Sequence, residues 1–191
     1  MHTDLGPILA LYPTLTAIVG AHRDGRPNFL AVAHLCPMNH GQPQYLAIGL
    51  NKAHYTNMGI LENRQFSICI PSQDLLVETD YVGIVSGKKT DKSGLFDVFY
   101  GQLPAAPLIR ECPVCMECRL HQTLVLGNHD IFIGELVATH ADPDVLTDGT
   151  IDFAKVRPML FDMPLKKYRA LGPVLGDCWS AGKALKREAA E

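Results

Sequence analysis

The chain has 191 residues, 47% of them hydrophobic and 19% charged, which suits one domain with a well-filled core and excludes a disordered segment. Its formal charge is −3 and its pI about 6.2, so it lacks the broad basic footprint with which proteins meet nucleic-acid backbones. Met1 to Gly6 carries Asp4 and no basic cluster, and Pro7 and Pro13 break the apolar stretch after it. Neither a signal peptide nor a membrane span is expected there.

Short β-type runs fill most of the remaining chain. Thr14–Ala21 is rich in β-branched residues and ends at His22-Arg23-Asp24-Gly25, where Asp-Gly signals a hairpin; Asn28–His34 is the returning strand. Gln44–Leu50 places Leu46, Ile48 and Leu50 on one face and Tyr45, Ala47 and Gly49 on the other. Thr56–Asn63 reads as a helix, Phe66–Ile70 as a strand stopped by Pro71, and Ser72 caps a second helix over Gln73–Gly83. Cys115–Leu126 and Ile131–His140 flank Gly127-Asn128-His129-Asp130 as another hairpin, and Trp179–Ala190 forms a last, mostly polar helix. Many strands, few helices and no interdomain linker predict a single, mainly β domain over 1–191. The architecture is a barrel or sandwich whose open ends are covered by helices, with a core from about residue 13 to 172. A doubly wound sheet is disfavoured, since hairpins join the strands and no glycine-rich dinucleotide fingerprint follows one.

Two segments read as anion sites. Asn51-Lys52-Ala53-His54-Tyr55-Thr56-Asn57 opens a helix, whose unpaired N–H groups and positive dipole end attract negative charge. The plain alternative is a capped helix beside a solvated lysine. Ser86-Gly87-Lys88-Lys89-Thr90-Asp91-Lys92-Ser93-Gly94 gathers lysines, hydroxyls and glycines, though it is not a P-loop; its plain alternative is a solvated basic loop.

The six cysteines (Cys36, Cys69, Cys112, Cys115, Cys118, Cys178) are too sparse for a disulfide scaffold and point to a reduced, cytoplasmic protein. Cys112-x-x-Cys115-x-x-Cys118 tempts a metal assignment. On a strand, however, Cys112, Val114, Met116, Cys118 and Leu120 share one parity and Cys115 points the other way, so buried, inert thiols and no metal are expected. Of the histidines, His22, His34, His40, His54, His121, His129 and His140 form no metalloprotease motif, and Gly-x-Ser-x-Gly is absent. A Cys36 pair with His34 or His40 has only sequence adjacency behind it.

In order and spacing, five stretches resemble the flavin reductase-like family, the FMN-binding split barrels that include flavoredoxins, from about Pro13 to Gly172. They are Asp24-Gly25-Arg26-Pro27-Asn28 with its strand to His34; Lys52-Ala53-His54-Tyr55-Thr56; Val82 to Gly87 with Asp91-Lys92; Glu111-Cys112 through Glu117-Cys118; and Phe132-Ile133-Gly134-Glu135. The resemblance implies a split β-barrel with flanking helices and bound FMN. It assigns Asn28, Ala31, His34, Leu35 and Cys36 to the isoalloxazine ring. Lys52, His54, Thr56, Ser86 and Lys92 go to the ribityl and phosphate groups. Where the family often carries Thr and then Trp beside the ring, this chain has Ala31 and His34. The resemblance further implies an NAD(P)H-dependent flavin reductase or, alternatively, a flavoredoxin-like electron carrier served by a protein partner. It also implies a homodimer in which residues such as Phe161 or Tyr168 reach the partner's site. It names no catalytic residue. A flavin-free metal or thiol protein using Cys112, Cys115 and Cys118 is the reading from a different class.

Overall fold

The computed structural model describes residues 2–183 and 185. In chain order the strands are β1 (Thr14–Leu15), β2 (Ala17–Arg23), β3 (Arg26–Val32), β4 (Leu35–Pro37), β5 (Tyr45–Asn51), β6 (Gln65–Ile70), β7 (Val98–Phe99), β8 (Leu108–Ile109), β9 (Val114–Leu126), β10 (His129–Ala141), β11 (Leu146–Thr147), β12 (Thr150–Ile151), β13 (Met159–Asp162) and β14 (Lys167–Ala170). The α-helices are α1 (Tyr55–Asn63), α2 (Leu76–Ile84) and α3 (Phe153–Val156). Seven strands make one antiparallel sheet in the order β3-β2-β6-β9-β10-β5-β4. Its two edge strands, β3 and β4, are consecutive in the chain and separated only by Ala33 and His34. So short a link forces the sheet to curl until its edges nearly meet, which produces a split barrel.

The period-two alternation of the strands divides the apolar residues between two cores. Inside the curl lie Val19, Leu30, Ile48, Leu50, Phe66, Ile68, Cys118, Leu120 and Phe132. On the outer face, Ile18, Phe29, Cys69 and Cys115 pack under Val82 of α2 and under Phe96, Leu108, Ile109 and Cys112 of the long 85–113 segment. A small sheet, β1-β13-β14, brings Phe161 and Tyr168 beside the gap between the edges.

The expected hairpins are present. Asp24 and Gly25 take φ values of 52° and 74°, both left-handed, as a tight two-residue turn between right-twisted strands demands. The second hairpin turns on Gly127-Asn128 alone, because His129 already pairs with Leu126. Ser72 does cap, accepting from the Asp74 N–H, but it starts a 3₁₀ turn over Gln73–Leu75 before α2 begins. Half of the expected Trp179–Ala190 helix, 184 and 186–190, lies outside the described residues; within them Ala181–Lys183 form a 3₁₀ turn. Among the described residues, no helix is long and apolar enough to cross a membrane.

Candidate functional site

The edge strand β3 is the spine of a continuous groove. Four adjoining cavities run along it. The first, of about 310 Å³, includes Asn28, Tyr55, Gly87, Lys88, Lys89 and Lys92 in its lining. The second, of about 210 Å³, shares Tyr55, Gly87 and Lys92 with it and adds Leu30, His54, Thr56 and Ser86. A third, of about 240 Å³, takes over Gly83 and Ile84 and adds Ala31, Ala33, Phe161 and Tyr168. The last, of about 280 Å³, continues from Ala33 to His34, Leu35 and Cys36 under Leu9, Leu11 and Tyr12. The groove is thus basic at one end and apolar at the other.

At the basic end, the buried Asn28 amide donates to the Thr56 hydroxyl at 2.7 Å, which fixes the start of α1 against β3. His54 is the cap residue of α1 but makes no side-chain capping bond, and Ala53, His54, Tyr55 and Thr56 at the start of that helix line the second cavity. Its Nδ1 is buried and has no hydrogen-bond partner. Burial chiefly, then the nearby His129 and Lys92, holds the His54 imidazole below its ordinary pKa, which favours the neutral ring. Gly87 approaches Asn28 and Tyr55 so closely that a Cβ would sit 2.2 Å from Asn28 Oδ1 and 2.8 Å from Tyr55 Cδ1. Only a glycine lets this backbone turn into the groove. Lys88 and Lys89 are exposed at its rim, and Arg26 pairs with Asp91 at 2.7 Å.

Lys92 departs from its expected role. It is 4% exposed, and its ammonium donates to the carbonyls of Phe29, Val82 (3.3 Å) and Val85 (3.0 Å). Those acceptors use the three donors of a lysine, so the side chain ties the loop to β3 and to the C-terminal end of α2. Burial pushes it down to about 8. Lys52 does not line these four cavities: its ammonium donates to Gly127 O at 2.8 Å, on the β9–β10 turn. The remaining residues named from the sequence, Asn28, Ala31, His34, Leu35, Cys36, His54, Thr56 and Ser86, all line the groove. Asn28, however, stands at the basic end rather than at the apolar end expected for the ring.

At the apolar end, Tyr12 OH and His34 Nε2 are 2.7 Å apart, and the His34 ring lies 6.0 Å from that of His129. Tyr168 donates to Asp80 at 3.0 Å; burial and that carboxylate push its phenol up to about 12. Phe161 and Tyr168 therefore line the groove of their own chain, beside Ala31 and Ala33. Tyr12 and Asp80 had carried no signal in the sequence, because each arrives from an element remote from β3 in the chain; Tyr55 and Gly83 lay within segments already singled out.

The family model described as "Flavin reductase like domain" matches residues 9–169. The chain belongs to the flavin reductase-like family. Among solved structures it is similar to the flavoredoxin of Methanosarcina acetivorans, 38% identical with a TM-score of 0.94, covering 97% of this chain and 99% of that one. It is also similar to the flavoredoxin of Desulfovibrio vulgaris (Miyazaki F), 36% identical with a TM-score of 0.87, over 95% and 100% of the two chains. An uncharacterised protein of Archaeoglobus fulgidus is 28% identical over 145 residues, 74% of this chain and 80% of the relative.

Proposed function

We propose that this chain binds FMN along β3 and passes electrons through it as a flavoredoxin-like carrier. The observation that carries the reading is the groove itself, basic and glycine-cradled at one end and apolar at the other, with a buried imidazole nitrogen left unpaired between. That polarity matches a nucleotide with a phosphate at one end and a flat aromatic ring at the other. The α1 N-terminus, the Ser86–Gly87 backbone, Lys88 and Lys89 would hold the phosphate; His54 Nδ1 would gain a polar partner. Ala31, Ala33, Leu35 and the His34–Tyr12 pair would flank the ring. FMN supplies hydride and electron chemistry when bound. The chain contributes binding, orientation and exclusion of water.

Similarity to two flavoredoxins at more than a third identity favours the carrier reading, with a redox protein as electron source. A second reading is an NAD(P)H-dependent flavin reductase, in which a nicotinamide would approach the flavin at the apolar end of the groove, where Leu9, Leu11 and Ile131 extend the lining of the cavity of about 280 Å³. We further propose a homodimer, because Leu5, Ile8, Leu9 and Leu11 are 70%, 63%, 58% and 76% exposed in one short segment, and Leu9 and Leu11 line that cavity. Anaerobic mixing of FMN-loaded protein with NADH or NADPH separates the two readings: the carrier leaves its flavin oxidised, whereas prompt bleaching establishes the reductase. Absence of any flavin binding overturns both.

A further inference from the structure

Cys36 stands beside a second sulfur on an edge of the large sheet. In β4, the last strand of that sheet, Leu35, Cys36 and Pro37 pair with Ile48, Ala47 and Leu46 of β5. The register runs on past both ends of the strand: Gly49 N–H donates to His34 O, and Met38 N–H to Tyr45 O, each at 2.8 Å. Alternation along this run puts His34, Cys36 and Met38 on the face away from Leu35, which packs against the inner core. Pro37 falls where its missing N–H would have pointed away from β5, at a free edge that owes no ladder bond. Ala47 and Gly49, opposite Cys36 and His34, are small residues in the lining of the same apolar cavity as both.

The Cys36 thiol donates to Met38 Sδ at 3.8 Å. Both side chains are exposed, Met38 by 53%. Asn39 fixes the chain just beyond them: its amide accepts from Tyr45 N–H at 2.7 Å and donates to Gly41 O at 3.2 Å and Pro43 O at 2.9 Å. The two sulfurs therefore hang from backbone held on both sides. His34 Nε2 lies 2.7 Å from Tyr12 OH, so the partner that the fold gives this thiol is the thioether of Met38.

The other cysteines lie differently. Cys69, Cys112, Cys115 and Cys118 are buried. Cys69 lies opposite Cys115 on β6 and β9. The sequence parity had set Cys112 on the face opposite Cys115, but it packs in the same outer cluster. It lies in the turn before β9, where its N–H donates to Ile109 O at 3.2 Å, and strand alternation does not reach it. The Cys115 thiol donates to Ile109 O at 3.3 Å. Cys178 is exposed and has no methionine near it in the sequence.

We propose that Cys36 and Met38 bind a soft monovalent cation, Cu(I), at the rim of the apolar cavity and independently of flavin. Thiolate and thioether sulfurs are soft donors that suit this ion. The proton that the thiol now gives to Met38 occupies the space between the sulfurs, and the ion replaces it. A sulfur–copper bond forms, the S–H bond breaks, the proton goes to water, and no electron changes hands. At bonds of about 2.3 Å, the length of a zinc–thiolate bond, a separation of 3.8 Å subtends about 110° at the ion. That bent geometry leaves an outer position open to solvent. A structural centre would be closed; this site takes its ion from small thiols, and returns it to them, through the open position. Among the described residues, no three His, Cys, Asp or Glu side chains are grouped as ligands, so zinc lacks a set of its usual donors.

The test adds equimolar Cu(I) to the folded chain without oxygen, against bicinchoninate as competing chelator, and then alkylates free thiols and maps them by mass spectrometry. A single Cu(I) per chain is expected, with Cys36 protected and Cys178 alkylated. Met38→Leu should weaken binding at least about tenfold, since even outer-shell partners of a metal ligand are worth that much. Cys36→Ser should abolish it, and Cys178→Ser should leave it unchanged. Zn(II) at the same concentration should not protect Cys36. Protection of Cys178 or of the buried cysteines in place of Cys36 overturns the proposal, as do an unchanged affinity in Met38→Leu and equal protection by Zn(II). The native-chain map needs no variant to fold, and the same result is expected whether or not the chain binds FMN.

Discussion

His54 and the lysines of the 86–94 segment carry the most direct consequences at the scale of single residues. The imidazole of His54 is held below the 6.5 of a free histidine, so between its folded value and 6.5 the unfolded chain binds more protons than the folded one. Stability without flavin should therefore fall as pH drops through 6.5, and His54→Gln should flatten that fall. Urea unfolding at a series of pH values reads the difference; parallel curves for the two proteins would count against a strained neutral imidazole. Lys88 and Lys89 face the groove rim with exposed side chains, while Lys92 spends its donors on carbonyls. Lys88→Ala or Lys89→Ala should weaken FMN by roughly 1.5–3 kcal/mol, the range for a hydrogen bond to a charged group. Riboflavin, lacking the phosphate, should be nearly unaffected in the same titration. The sequence disclosed that this loop was basic. It could not disclose which lysine was buried, since that depends on carbonyls of β3 and α2 meeting it in space.

Elements place these residues, and their contributions separate in a different way. Lys92 ties the loop to β3 and α2, so Lys92→Met should lower stability and weaken FMN and riboflavin alike. A loss confined to FMN would mean that the ammonium turns toward the phosphate instead. The β2–β3 hairpin, which sets the position of Asn28, turns on Gly25 at a φ of 74°. Gly25→Val should cost on the order of 1–2 kcal/mol, the penalty of a side chain in left-handed backbone, read from the urea midpoint at constant slope. The hairpins, both longer helices and the inward face of β5 were legible because each is a local pattern of period or turn chemistry. The arrangement of the buried cysteines was not. Cys69 pairs with Cys115 across 46 positions of sequence, and Cys112 escapes strand parity by sitting in a turn. The 2.6 Å contact between His140 and Glu117 was hidden for the same reason, since it forms only when β9 and β10 lie side by side.

Taken as a whole molecule, the curled sheet joins two edges that are neighbours in sequence, and the groove along β3 is the product of that closure. Around its apolar end the 5–11 segment exposes four large side chains, more than a solitary surface would keep wet. Sedimentation should accordingly give about twice the chain mass of 21.0 kDa, and a concentration-independent monomer would contradict the dimer. The family likeness placed the fold correctly; Lys52 shows that a residue can keep its place in a motif and still point its ammonium to the β9–β10 turn. The central claim is that the groove selects a flavin by its phosphate. Titrating the purified chain with FMN and with riboflavin, followed by flavin fluorescence, tests it most directly. FMN should bind at least about tenfold more tightly, a difference of about 1.4 kcal/mol; equal affinities, or no binding of either, would contradict it.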